Sequence, residues 1–218
     1  MTDAADRLIS GLVDDLQPIR PLPRLRSAFA IVLAVWTAVL GIVMWTQETA
    51  LGARSLLGDP IYLASFAGLF VAALGGTLSA LAAGQPGRER AETSGLIVAL
   101  IGLVAAAAAC LVGMGGVDFT ANASPGGADA MCFQKGIFLS VLPAGVILSF
   151  LVRGWASHPF RAALVAVAAA GALGGAIVHL GCDVLGPRHL LMGHLSVPVV
   201  LGLLGLYPVG ALLRRLRG

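Results

Sequence analysis

Charge is what this sequence has least of. Asp, Glu, Lys and Arg make up 11% of its 218 residues, where an ordinary soluble domain carries about a quarter. With 58% hydrophobic residues and a mean hydropathy of +0.92, a water-soluble enzyme is excluded. So is a disordered chain, which needs low hydrophobicity. Cysteine is also scarce. Three residues are too few for a disulfide-dense secreted fold. No basic run with interleaved aromatics occurs, so the net charge of +3 gives no ground for a nucleic-acid partner.

What is present is six apolar blocks, at 28–46, 61–83, 93–113 (extendable to 117), 136–152, 162–181 and 195–213. None contains Asp, Glu, Lys or Arg. A helix of 20 residues spans roughly 30 Å, about one hydrocarbon core. The runs are continuously apolar and not alternating, which favours helices over barrel strands. The expected architecture is all-α: a polytopic membrane protein with six transmembrane helices. Residues 1–27 form a polar cytoplasmic head with a Pro-rich linker, 28–213 the membrane domain and 214–218 a basic tail. Four aspartates precede the first block, so the head is expected not to be a signal peptide and the first block to be an uncleaved anchor.

Eleven of the 14 Lys and Arg fall on the side that receives the head, the 2–3 loop, the 4–5 loop and the C-terminus. Only Arg54, Lys135 and Arg188 fall on the other. The positive-inside rule then places both termini in the cytoplasm, and an even number of spans agrees with two basic ends on one face. The Arg residues at helix ends anchor the helices and meet anionic lipid.

Transporters and pumps need polar groups at mid-depth, and intramembrane proteases a Ser–His pair, an Asp pair or a metal motif. The spans offer only hydroxyls there, such as Ser65, Ser79 and Ser149. No catalytic residues and no resident cofactor are expected. Gly171 and Gly175 make a G-x-x-x-G step, suited either to packing within the bundle or to a dimer interface. Pro143, Pro198 and Pro208 lie inside spans and each removes a backbone donor.

The remaining chemistry gathers on the non-cytoplasmic face. Cys132 precedes span four and Cys182 follows span five. These spans form a hairpin closed on the cytoplasmic side, so both cysteines lie at its open end. Neighbouring helices 8–10 Å apart would let them approach bonding distance, and in an oxidising compartment a disulfide could form. His179, Cys182 and Asp183 at i, i+3 and i+4 share a helical face. His189 and His194 follow in the 5–6 loop, with Met131 and Met192 nearby. Together these could instead ligate a soft or borderline metal ion, although the spacing matches no strong zinc pattern. Cys110 lies within an apolar run and reads as a buried small residue. Residues 117–135, rich in Gly, Pro, Ser and Asn, read as an exposed loop.

In the head, Leu8, Ile9, Leu12, Val13 and Leu16 follow the spacing of an amphipathic helix, ended by Pro18. About four turns are marginal alone, so the stripe needs a surface. Its polar face carries Asp3, Asp6, Asp14 and Asp15 against Arg7, and an anionic leaflet would repel it. A basic protein groove suits it better, with docking on the bundle's own inner face as the alternative.

The sequence resembles the NrsF-like membrane anti-sigma factors of proteobacteria over nearly its whole length. The likeness rests on Asp6-Arg7-Leu8-Ile9 with Leu12, Asp15 and Leu16, on Pro18-Ile19-Arg20-Pro21-Leu22, and on the six short spans. It rests also on Cys132 before span four, Leu142-Pro143 within it, and His179 with Cys182-Asp183 after span five. The resemblance implies a bacterial inner-membrane anti-sigma factor and no enzyme. Its head, through Leu8, Ile9, Leu12, Val13, Asp15 and Leu16, would hold an extracytoplasmic-function sigma factor away from RNA polymerase. An envelope signal, oxidative or heavy-metal stress, would release it. The family's paired outer cysteines map to Cys132 and Cys182, with His179, Asp183, His189 and His194 as auxiliary candidates and a metal ion as a possible signal. In the family a His often directly precedes the second Cys; here Gly181 does, and His179 lies three residues back. The rival from another class is a membrane thiol-redox protein or metal-handling transporter using the same Cys/His cluster. It would need a second thiol pair or a polar path through the bilayer.

Overall fold

Asp59 and Pro60 set the start of a central helix. The Asp59 carboxylate accepts from the backbone N–H groups of Ile61 at 2.8 Å and Tyr62 at 3.2 Å, an N-cap, and Pro60 takes the first helical position where no N–H is needed. The structure is a computed structural model that describes residues 7, 9–11, 22–46, 58–115, 127–182, 184 and 186–216. Six long helices occur among them: α1 (Leu25–Thr46), α2 (Pro60–Ala83), α3 (Glu89–Gly113), α4 (Ala128–Arg153), α5 (Pro159–Leu180) and α6 (Pro187–Arg215). Each is long and apolar enough to cross a bilayer, and no strand occurs among the described residues.

The order and number of spans agree with the apolar blocks, but two stretches expected to be loop are helical. Residues 128–135, placed in an exposed loop, form the first two turns of α4. His189 and His194, placed in the 5–6 loop, lie in α6. The cause is common to both. Apolar composition marks only the part of a helix that meets hydrocarbon. These two helices extend beyond the apolar blocks, carrying Asp129, Cys132, His189 and His194 toward one another.

The packing is radial. In α5, 78% of the most apolar window is buried, and in α2 61%, against 17–28% in the other four. These two helices form the centre, and both are made of small residues there. A Cβ on Gly75 of α2 would lie 2.5 Å from the backbone nitrogen of Ala99 and 2.7 Å from the carbonyl of Gly95 on α3, so only glycine permits that backbone contact. Gly171 and Gly175 both face α6: an added Cβ would lie 2.7 Å from the Cα of Pro198 and 2.8 Å from the carbonyl of His194. This step therefore packs the bundle internally, and Gly175 lets the histidine-bearing stretch of α6 close on α5.

Away from the cysteine end, the buried polar side chains among the described residues are the hydroxyls of Thr77, Ser79 and Ser140. At the head end, Glu92 of α3 pairs with Arg161 of α5, and Trp155 donates its backbone N–H to the carbonyl of Gly84 at 3.0 Å. Of the head, Arg7 and residues 9–11 are helical, and the Ile9 side chain is exposed. Leu8, Leu12, Val13, Asp15 and Leu16 lie outside the described residues.

Candidate metal centre

Three helices bring four donors together. Asp129 and Cys132, three residues apart, share one face of the first turns of α4. Cys182 follows the C-terminus of α5, in a turn where its N–H meets the carbonyl of His179 at 3.4 Å. His189 and His194 come from the start of α6. Five positions on an α-helix are separated by about 140°, which would put the two rings on different faces. Residues Leu190–Leu195 are instead π-helical. Bonding from i to i+5 brings positions five apart back into register, and both histidines turn to the cysteines. Nothing in the hydrophobic spacing signals this segment.

The donor atoms of Cys132, Cys182, His189 and His194 all lie within 4.8 Å of one another. The two sulfurs are 3.8 Å apart, well beyond the length of about 2.05 Å of a disulfide. Two thiolates held at about 2.3 Å on a tetrahedral zinc would be separated by about 3.8 Å, so the observed spacing fits the edge of such a site. Cys182 Sγ lies 3.2 Å from His189 Nε2.

The rings are oriented from behind. His189 donates from Nδ1 to the Asp129 carboxylate at 2.6 Å, which leaves Nε2 as the nitrogen facing Cys182, and Arg188 lies 3.8 Å from the other oxygen of Asp129. A carboxylate on the far nitrogen is the usual support of a metal-binding histidine. His194 engages His179 through Nδ1, the two Nδ1 atoms being 2.9 Å apart. That leaves its Nε2, which is fully buried and has no hydrogen-bond partner. A buried nitrogen of this kind costs free energy unless something binds it. Two sulfurs and two imidazole nitrogens are a donor set for a soft or borderline ion such as Zn(II), Cd(II) or Cu(I).

Tyr62, which was not among the sequence candidates, holds the site from α2. Its buried hydroxyl faces the carbonyls of His179 and, at 2.9 Å, Cys182, adding a side-chain donor at the C-terminal end of α5, where backbone carbonyls run short of intrahelical partners. Its ring lies 4.0 Å from that of His179. A cavity of about 430 Å³, lined by Val43, Lys135, Phe138 and Ile177 among others, opens onto both cysteines.

Of the sequence candidates, Cys132, Cys182, His189 and His194 converge. His179 stands behind His194, outside the group. Asp183 lies outside the described residues. Met131 and Met192 are exposed, and Cys110 is buried within α3. Asp129 was missed because it sat in the stretch taken as loop; its spacing of three before Cys132 was the available signal.

Neither the curated proteins nor the solved structures yield a match. The sequence model of one family does match, over residues 12–215: NrsF, negative regulator of sigma F. That match covers nearly all of the six-helix bundle and the cysteine cluster, and the chain accordingly belongs to the NrsF family of negative regulators of a sigma factor.

Proposed function

We propose that this protein is an anti-sigma factor of the bacterial inner membrane that holds an extracytoplasmic-function sigma factor through its N-terminal helix and releases it when a soft metal ion binds at Cys132, Cys182, His189 and His194. The head lies in the cytoplasm and the cluster on the periplasmic face, as the distribution of Arg and Lys supports. The reading is carried by one observation: four donors converge within 4.8 Å. They do so at the end of the bundle opposite the linker to the head. Family membership supports the sigma-factor partner.

The unpartnered Nε2 of His194 favours metal over disulfide formation as the signal. Joining Cys132 to Cys182 would leave that nitrogen buried and unsatisfied, whereas a metal would bind it. Oxidation is the second reading, favoured by the 3.8 Å between the sulfurs. Metal binding would draw α4, α5 and the start of α6 around one ion. Moving the sigma factor from mostly bound to mostly free needs a differential coupling of several kcal/mol, within reach of an ion that binds one bundle state preferentially.

The test uses the full-length protein in lipid nanodiscs with its sigma factor bound. Cd(II) should release the sigma factor from the wild type, and Cys132→Ser or Cys182→Ser should abolish release while retaining basal binding. Release by diamide but not by Cd(II) would favour the disulfide. Release by neither would sink the assignment of the signal to this cluster.

A further inference from the structure

Behind the candidate centre two imidazoles meet nitrogen to nitrogen. His179 Nδ1 and His194 Nδ1 are 2.9 Å apart, and such a contact needs a proton on one of them. The next contact decides which. His179 Nε2 lies 3.0 Å from the carbonyl of Tyr62, an acceptor with no proton to give, and 3.4 Å from the Ser65 hydroxyl, whose one hydrogen goes to that same carbonyl, so Nε2 of His179 donates. The Ser65 hydroxyl donates to the same carbonyl at 3.0 Å. With both rings neutral, His179 Nδ1 is then a lone pair and accepts. His194 Nδ1 must carry the hydrogen, and His194 Nε2 is left bare.

We infer that His179 is a positioning residue for the metal centre: by accepting a hydrogen bond from Nδ1 of His194, it fixes that histidine in the tautomer whose Nε2 lone pair can bind a metal ion. The inference rests on the metal centre proposed above. Three independent features carry it. His194 is fully buried, so no solvent competes for its Nδ1 hydrogen. Its Nε2 makes no hydrogen bond of ordinary geometry, and the cluster group that faces the ring is the Cys132 thiol, a weak hydrogen-bonding partner, so the stronger control over the tautomer comes from behind. The direction of the relay is set at its far end by a backbone carbonyl, which cannot reverse it. Tyr62 thereby orients two of the four ligands, His194 through its carbonyl and Cys182 through its hydroxyl. The arrangement differs from that at His189, where a carboxylate does the same work directly.

The test begins with the full-length protein without metal, in nanodiscs, with nitrogen-15-labelled histidine. His194 is assigned by the signals that vanish in His194→Asn. In the wild type its Nε2 should give a pyridine-type resonance and its Nδ1 a pyrrole-type one. In His179→Phe, which keeps a ring against Tyr62 but accepts nothing, the two tautomers should mix. His179→Asn retains an acceptor at the Nδ1 position and should restore the single tautomer. Cd(II) titration of the same proteins should show affinity falling on the order of 10–100-fold in His179→Phe and recovering in His179→Asn. The thiolate-to-cadmium absorption at saturation should stay unchanged. A wild-type tautomer and affinity in His179→Phe would overturn the inference. So would a failure of Asn to rescue, or a ligand lost at saturation, which would make His179 itself a ligand. If the wild-type protein binds no Cd(II), the metal centre falls, and the apo nitrogen spectra still decide whether His179 sets the tautomer.

Discussion

Gln85, just beyond the end of α2, donates from its side-chain amide to the carbonyl of Pro23 across 3.2 Å. At the other end of the same helix Tyr62 engages the carbonyls of His179 and Cys182. The two residues are separated by about 35 Å of helix. One rigid element is thus fastened both to the candidate metal centre and to the linker that leads into the head.

Removing the near tie should weaken the coupling without touching the centre. A partly buried hydrogen bond contributes about 1 kcal/mol, or roughly fivefold in an equilibrium. Gln85→Ala should raise the Cd(II) concentration needed for half-release of the sigma factor by about that factor, with Cd(II) affinity unchanged. An unchanged midpoint in a nanodisc release assay would show that the linker is not driven through this contact.

Tyr62→Phe removes one hydroxyl that faces two buried carbonyls. Losing this donor to buried carbonyls should cost about 1 kcal/mol, seen as a lower thermal midpoint in detergent, and should weaken Cd(II) binding by freeing the Cys182 turn. A variant with wild-type values on both counts would place the hydroxyl outside the site's support.

The glycine contact between α2 and α3 gives a clean pair of variants. Gly75→Ala puts a Cβ 2.5 Å from the backbone nitrogen of Ala99 and should destabilise the bundle by about 1–3 kcal/mol. Gly41→Ala meets nothing within 4 Å and should be neutral or slightly stabilising. Thermal unfolding of the two proteins side by side checks the difference.

Ile9 is exposed on the head, as a partner-binding stripe requires. Ile9→Asp, or Leu12→Asp with Leu16→Asp, should free the sigma factor constitutively while the bundle still inserts. Retention of the sigma factor in a membrane pull-down would place its binding elsewhere.

Topography is open to chemical labelling. In intact cells an impermeant maleimide should reach Cys132, which is partly exposed, before the inner membrane is broken. Protection of Cys132 until lysis would invert the orientation and separate the cluster from any periplasmic signal.

Six long apolar helices, their order and the nearness of Cys132 to Cys182 were legible in the residues alone. Each follows from a one-dimensional signal: a run of apolar residues as long as a bilayer is thick, and two thiols at the open ends of one hairpin. The role of His179 was not. Its spacing of three from Cys182 put it on the cysteine's face of an ideal helix, but α5 ends between them at Leu180, and the turn that follows sends the two side chains to different neighbours.

By itself the sequence determined a six-helix membrane architecture with a polar head and a sparse set of cysteines and histidines at one end, because burial in lipid constrains composition directly. Tertiary structure decided which of those side chains meet. The π-helical turn that aligns His189 with His194, the approach of α6 that Gly175 permits, and the hold of Tyr62 on the end of α5 all arise from packing between helices distant in sequence. No local pattern of apolar and polar residues encodes such contacts.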